Sequence, residues 1–286
     1  MPMQSLKRCQ IEVVSQMADI FVFQTGSTIV SPAVPDRSSR KCKNAYTGLF
    51  QSRKKRLTVP VKCFLVEVAG HRILIDTGWS GECATHPLRH FGFGLWFASE
   101  PVMKEEEAAV ERLKQMHLQP SDIDAILMTH LDCDHASGLI PLKEAAHIYV
   151  TKEELDKKNL KSIRYHSDFW KNIAFSFYEM KTDPRAPFHE SCDLFNDGSV
   201  VVYFTPSHSA GSVAIEINDN GRFALFTGDN GYNRHSWEEL KLPGPIYDLQ
   251  NMKVALEWVQ KESQRDNCAG IYAAHDPEIK QGQYKI

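Results

Sequence analysis

Short apolar runs separated by Gly, Pro, Asn and Asp dominate the chain, and their spacing predicts a protein built mostly of short strands. Residues 57–78, LTVPVKCFLVEVAGHRILIDTG, contain two β-rich runs around an Ala69-Gly70 turn and read as a hairpin whose second strand ends at Asp76. Further short strands are predicted over 123–129, 146–150, 200–205, 212–217, 223–227 and 270–273. Apolar residues fall at helical spacing over 105–116 and 249–260, which predicts two amphipathic helices. Between 25 and 56, Ser, Pro, Gly and basic residues outnumber any periodic apolar pattern, so an extended N-terminal loop is expected there. Hairpin strands thus mix with helical crossovers, an order that fits an α/β or α+β sandwich better than a uniformly alternating parallel sheet. No repeat or long flexible linker divides the sequence, and a single domain over 1–286 is expected.

Composition narrows the function. Of the 286 residues, 42% are hydrophobic and 24% charged, enough apolar material for a sizeable core and unlike a disordered chain. A net charge of -3 and a pI near 6.5 provide no general attraction for nucleic acid or an anionic membrane, so the expected partner is a small molecule. The longest apolar runs fall well short of the roughly 20 residues of a membrane-spanning helix. Residues 1–16 lack the apolar core and small-residue cleavage site of a secretory leader, which makes a cytoplasmic location the expectation. Seven cysteines with no Cys-x-x-Cys pair predict reduced, mostly buried thiols. The sequence pattern leaves the oligomeric state open.

Chemistry concentrates directly after the strand predicted at 123–129, where His130, Asp132, Asp134 and His135 lie in the segment THLDCDHASG. Such a cluster is difficult to justify structurally, since its carboxylates would repel one another without a cation nearby; the alternative is a solvated loop, because polar residues are common at strand ends. Residues 130, 132 and 134 share one side only while the backbone stays extended, so His135 reaches elsewhere once the chain turns. One loop can therefore serve two neighbouring cations, and its imidazole and carboxylate donors suit Zn, Fe or Mn. Three single residues occupy the same setting after an apolar run: His208 in VVYFTPSHSAGS, Asp229 in RFALFTGDNGY and His275 in GIYAAHDPE. Strand-end placement lets them converge with the cluster, although each His alone is more often a surface or satisfied core residue than a ligand, and Asp229 alone reads as a turn former.

HLDCDH resembles the His-x-His-x-Asp-His signature of the metallo-β-lactamase fold, and His208, Asp229 and His275 follow in the order of that superfamily's remaining ligands. The 57–78 hairpin, the TPSH turn, GDNGY and IYAAHD further resemble the N-acyl-homoserine lactonase branch. The resemblance implies an αβ/βα sandwich, in which two mixed β-sheets pack face to face with helices outside. It also implies that His130, Asp132 and His208 hold one divalent transition-metal ion, that Asp134, His135 and His275 hold a second, and that Asp229 bridges them. Asp132 departs from the family, which usually has His there; zinc is the expected metal, with Fe or Mn brought in by the added carboxylate. Tyr232 matches a Tyr that in such lactonases lies beside the substrate carbonyl, while Asp134 is expected to pass a proton to the leaving alkoxide. Asp76 matches a residue that orients a ligand. The implied activity is opening of an N-acyl-homoserine lactone ring. Hydrolysis of another lactone, a thioester or a phosphodiester is the alternative on the same scaffold, and diiron redox chemistry is a further one.

Other candidates carry weaker patterns. Tyr232 reads alternatively as a packed residue with its hydroxyl in solvent, and Asp76 as a turn former. Cys133 lies among the ligands, but alternation directs it away from Asp132 and Asp134 and predicts a structural role. Arg53 to Arg56 reads as a solvated basic loop or as an attractor of anions. FGFGLWF at 91–97 reads as core packing or as the wall of an acyl-chain pocket. His71, His86, His90, His117, His147, His166, His189 and His235 lack ligand spacing.

Overall fold

The computed structural model describes residues 17–42, 44–49, 51–156, 162 and 164–286; Cys9 and the N-terminal segment considered as a leader lie outside them. In chain order the first half contains β1 (Asp19–Val30), β2 (Leu57–Val68), β3 (His71–Ile75), α1 (Glu82–Thr85), α2 (Pro87–Ala98), β4 (Glu100–Val102), α3 (Ala109–Gln115), β5 (Ala125–Leu127), α4 (Cys133–Ala136) and β6 (Ile148–Val150). The second half contains β7 (Ser176–Phe177), β8 (Lys181–Thr182), β9 (Glu190–Asp193), β10 (Val200–Phe204), β11 (Val213–Asp219), β12 (Arg222–Gly228), α5 (Arg234–Glu238), α6 (Leu249–Ser263), β13 (Cys268–Ala273) and β14 (Gly282–Lys285).

The strands form two mixed sheets. The first runs β14-β1-β2-β3-β5-β6-β7, with β4 also paired to β1, and the second runs β13-β12-β11-β10-β9-β8. β2 shows why its sequence reads as an almost unbroken apolar run. Val61, Cys63 and Leu65 face a core beneath α2 and α3, whereas Phe64 and Val66 face Val202, Ile215 and Phe226 of the second sheet. Both faces of the strand are therefore covered. On the far side of the second sheet, Met252, Leu256 and Val259 of α6 pack on Leu225 and Ala273. Their helical spacing supplies one apolar stripe, and Asp248 caps the helix by accepting from the backbone N–H groups of Gln250 and Asn251, each at 2.9 Å. The result is the four-layer αβ/βα sandwich expected from the sequence.

The expected 25–56 loop is shorter than its composition suggests, because residues 25–30 continue β1 between β2 and β4. A register shift between Gln24 and Ser27 accommodates Gly26 at φ +105°, where an added Cβ would come within 2.5 Å of Met103 Cβ. Beyond β1 the described residues of the segment carry single 3-10 turns at Arg37–Ser39, Ala45–Thr47 and Arg53–Lys55. Backbone bonds from Arg37 N–H to Leu242 O (2.7 Å) and from Gly244 N–H to Val34 O (2.8 Å) fasten this segment to the loop before α6. The helix expected at 105–116 divides into a 3-10 turn, Glu105–Glu107, and α3.

Among the described residues the cysteines are free thiols, with Cys63, Cys83, Cys133 and Cys192 buried. No helix among them is long and apolar enough to cross a membrane.

Candidate metal centre

Loops after β3 and β5 of one sheet and after β10, β12 and β13 of the other meet at one end of the sandwich. They bring all seven sequence-selected residues together. Ligand-type atoms of His130, Asp132, His208 and Asp229 lie within 4.8 Å of one another, and those of Asp134, His135 and His275 form a second such group. Asp229 spans the groups: its Oδ1 is 3.2 Å from His135 Nε2 and 3.3 Å from His275 Nε2, while its Oδ2 is 3.5 Å from His208 Nε2 and 4.0 Å from His130 Nε2. The strand-like alternation considered for 130, 132 and 134 stops at Asp132, which begins the single helical turn α4. Cys133 turns into the core with Leu131 and Ala136.

The outer edge of each imidazole fixes the direction of its inner edge. His208 Nδ1 donates to Pro245 O at 3.0 Å and His275 Nδ1 to Pro60 O at 2.8 Å; because a carbonyl only accepts, both rings must carry the proton on Nδ1. His135 Nδ1 meets Asp76 Oδ2 at 2.8 Å, and His130 Nδ1 meets Thr129 Oγ1 at 3.0 Å. All four Nε2 atoms consequently face the centre. Those of His130, His135 and His275, together with Asp229 Oδ1, are buried without a hydrogen-bond partner. Buried polar atoms are normally satisfied, and this donor set of imidazole nitrogens around a carboxylate suits divalent transition metals.

The buried charges of the cluster offset one another. Burial opposes charge on Asp229, but His275 and His135 outweigh it and hold the carboxyl well below its ordinary range. Burial also opposes charge on His135, which Asp229 and Asp76 nevertheless push well above the usual histidine value. His208 behaves oppositely: burial, reinforced by Arg164, lowers it to about 4. Burial, then Asp229 and Asp134, push the Tyr232 phenol well above its usual range, so it stays protonated and able to donate. Tyr232 stacks on His275 with ring centroids 5.0 Å apart.

Two residues escaped the sequence reading. Arg164 lies on Asp132, with Nε 3.0 Å from Oδ1 and Nη2 2.6 Å from Oδ2, and its Nη1 donates to His208 O at 3.0 Å. Burial opposes ionisation of Asp132, but Arg164 and then His130 and His208 hold it well below the normal carboxylate range. Fully buried Glu154 accepts from Leu131 N–H (3.0 Å), Tyr165 Oη (2.7 Å), Ser209 Oγ (2.7 Å) and Gly211 N–H (3.1 Å), tying together the loops that carry the cluster and His208. A bonding pattern of this kind leaves no mark on local sequence.

A cavity of about 120 Å³ opens beside the centre, lined by Val30, Val59, Leu95, Arg164, Tyr232 and His275 among others. The 91–97 segment divides between its two expected roles: Leu95 lines this cavity, Phe91 packs in the core and Phe93 is exposed. Arg53 pairs with Glu100, and Arg56 donates to Phe97 O at 2.6 Å, so these basic residues brace the end of α2. His235 is exposed and pairs with Glu239 at 2.8 Å.

Comparison with known proteins places this geometry in a family. The chain is 26% identical over 247 residues to the N-acyl homoserine lactonase AttM of Rhizobium radiobacter, covering 83% of this chain and 90% of that protein. It is 27% identical over 238 residues to the N-acyl homoserine lactonase of Bacillus cereus, covering 79% and 85%. Its fold superimposes, with a TM-score of 0.73 and 21% identity over 92% of this chain and 95% of the other, on an N-acyl homoserine lactone hydrolase solved with the product N-hexanoyl-L-homoserine at its catalytic metal center. The sequence pattern of the metallo-beta-lactamase superfamily matches residues 57–266, and the chain belongs to that superfamily.

Proposed function

We propose that this protein is a metal-dependent hydrolase that opens the lactone ring of N-acyl-homoserine lactones. The observation that carries the metal requirement is the inward set of imidazole Nε2 atoms around Asp229, each imidazole anchored through Nδ1. The lactone assignment rests on the named relatives, which align over most of the chain, and on the placement of Tyr232 at the cavity.

Two divalent cations, zinc or, through the added carboxylate, iron or manganese, would fit the two ligand groups. They supply Lewis acidity, acidifying a water to furnish the nucleophile and polarising the ester carbonyl. His130, Asp132 and His208 would hold the first cation, Asp134, His135 and His275 the second, with Asp229 between the two groups. Asp76 keeps His135 in the tautomer that presents Nε2. Tyr232 donates its phenolic proton in a hydrogen bond to the oxygen that gains charge as the carbonyl is attacked. Asp134 takes up the proton given off by the attacking water and passes it to the alkoxide released when the ring opens. Val30, Val59 and Leu95 offer an apolar wall to the acyl chain and exclude water from one side of the reacting ester. The substrate is a small molecule, and the enzyme acts in the cytoplasm as a single domain.

The test is an activity panel on metal-replete and chelator-stripped protein. It uses N-acyl-homoserine lactones of increasing chain length, a simple γ-lactone, a thioester and a phosphodiester. Ring opening is expected to lead the panel and to vanish on stripping. Preferred turnover of the thioester or phosphodiester overturns the substrate assignment, and full activity after stripping overturns the metal requirement.

A further inference from the structure

Among the described residues, a guanidinium reaches the ligands of one half of the centre and not those of the other. His135 Nε2 and His275 Nε2 in the second half, like His130 Nε2 in the first and Asp229 Oδ1 between them, are buried and make no hydrogen bond. In the first half, Arg164 contacts two of the three ligands. Its Nη2 is 2.6 Å from Asp132 Oδ2 and 2.5 Å from His208 Nε2, and these two atoms are themselves only 3.1 Å apart. A cation bound by the same two atoms would sit about 2.0–2.2 Å from each. It and the guanidinium nitrogen would require the same space.

Asp132 explains why an arginine belongs there. A histidine at this position would offer Arg164 no bidentate acceptor, whereas a nearly buried carboxylate needs a positive partner whenever no cation is bound. The guanidinium also has an alternative location. Arg164 lines both the 120 Å³ cavity beside the centre and an adjoining cavity of about 660 Å³, so there is room for its side chain away from the ligands. The neighbouring backbone is anchored through Tyr165, whose hydroxyl donates to Glu154, so a side-chain swing is enough to move the charge.

We infer that Arg164 is a built-in competitor for the first cation position: the centre holds one cation firmly at Asp134, His135, His275 and Asp229, and admits a second only as Arg164 leaves Asp132 and His208. The inference rests on reading this cluster as a metal centre, but not on lactone hydrolysis. It makes the number of bound cations a function of free metal concentration, with Asp132 and Arg164 setting the midpoint of the second step.

The experiment is a titration of the stripped full-length protein with Zn²⁺, read by calorimetry and by equilibrium dialysis with elemental analysis. Wild type is expected to bind in two separated steps. Arg164→Met, which keeps length without charge, is expected to tighten the weaker step by about tenfold or more and leave the tighter one in place. A direct readout on wild type is the ¹⁵N–¹H signal of Arg164 Nε, assigned by its loss in Arg164→Lys. It is expected to persist through the first equivalent of Zn²⁺ and to shift or vanish with the second. Equal affinities at both positions in wild type, a weaker step unchanged by Arg164→Met, or an Nε signal unaltered through both equivalents each overturn the inference; the last needs only folded wild-type protein. No lactone is present in these measurements. A two-cation protein that fails to open lactones therefore refutes the proposed function and leaves this result standing.

Discussion

Replacing Asp76 with Asn tests whether the centre is oriented from behind. The carboxylate is 1% exposed and accepts three hydrogen bonds, from Thr129 N–H, Thr129 Oγ1 and His135 Nδ1, each at 2.8 Å. Its backbone lies at φ +57°, a left-handed conformation that Asn tolerates, so the substitution changes the side chain with little added backbone strain. An amide has one acceptor oxygen and one donor nitrogen. If its oxygen faces His135, its NH₂ opposes the Thr129 N–H; the reverse orientation opposes the His135 N–H. At least one bond to a charged acceptor is lost in either case, at roughly 1.5–3 kcal/mol, and the donor left unpaired adds to it. We expect the stripped protein to lose about 2–4 kcal/mol of unfolding free energy. Misorientation of His135 should weaken metal binding by about 10–100-fold. Urea unfolding with chelator present reads the first quantity, and competition against a chelator of known affinity reads the second. Wild-type metal affinity in a folded Asp76→Asn protein would refute the orienting role.

Three further outcomes are expected. Asp229→Ala should lose most of its bound metal on dialysis while His166→Ala and His189→Ala retain theirs, because only Asp229 reaches both ligand groups; equal retention would contradict the bridging role. Tyr232→Phe should lower kcat/KM for ring opening by up to about a hundredfold, on acylated and simple lactones alike, at unchanged metal content. Buried Lys62 donates to Asp276 O at 2.6 Å, and burial pushes its pKa from 10.5 down to about 8. Between those values the unfolded chain binds more protons than the folded one, so stability relative to Lys62→Met rises with pH, by about 2 kcal/mol from about pH 7 to about pH 9.5. Paired urea melts across that range would show no such trend if Lys62 titrates normally.

The legible elements were those whose burial follows a period. β2 and β3 read as a hairpin because core contacts on both faces require a continuous apolar run, and α6 read as a helix because one stripe of it packs on a sheet. β10, β11 and β12 were legible for the same reason, and their ends located His208 and Asp229. Very short strands such as β7 and β8, two residues each, carry no period of their own and exist through pairing with neighbours. Residues 25–30 were misread as loop because Thr25 and Thr28 are polar by type yet buried, with Thr25 Oγ1 donating to Val61 O and Thr28 Oγ1 paired to Ser99 Oγ. A residue-type pattern cannot distinguish a hydroxyl facing solvent from one satisfied inside a sheet.

The same limit governs the centre. Asp132 invites a statement about metal preference, since carboxylate oxygen is harder than imidazole nitrogen. Its surroundings add a requirement that comes first: an ionised carboxylate at 13% side-chain exposure, near Asp229, must be neutralised whether or not metal is bound. Arg164, 32 positions along the chain, meets that requirement from a loop with no apolar period to announce it. An acid substituted for a histidine ligand therefore changes two equilibria: the choice among metals and the competition between a metal and a side chain. Asp132→His separates them. It removes the bidentate acceptor and the added negative charge together, so it should tighten the weaker Zn²⁺ step even with Arg164 present, and Arg164→Met in that background should add little. If Arg164→Met tightens the weaker step as strongly in the Asp132→His protein as in wild type, the competition does not run through Asp132.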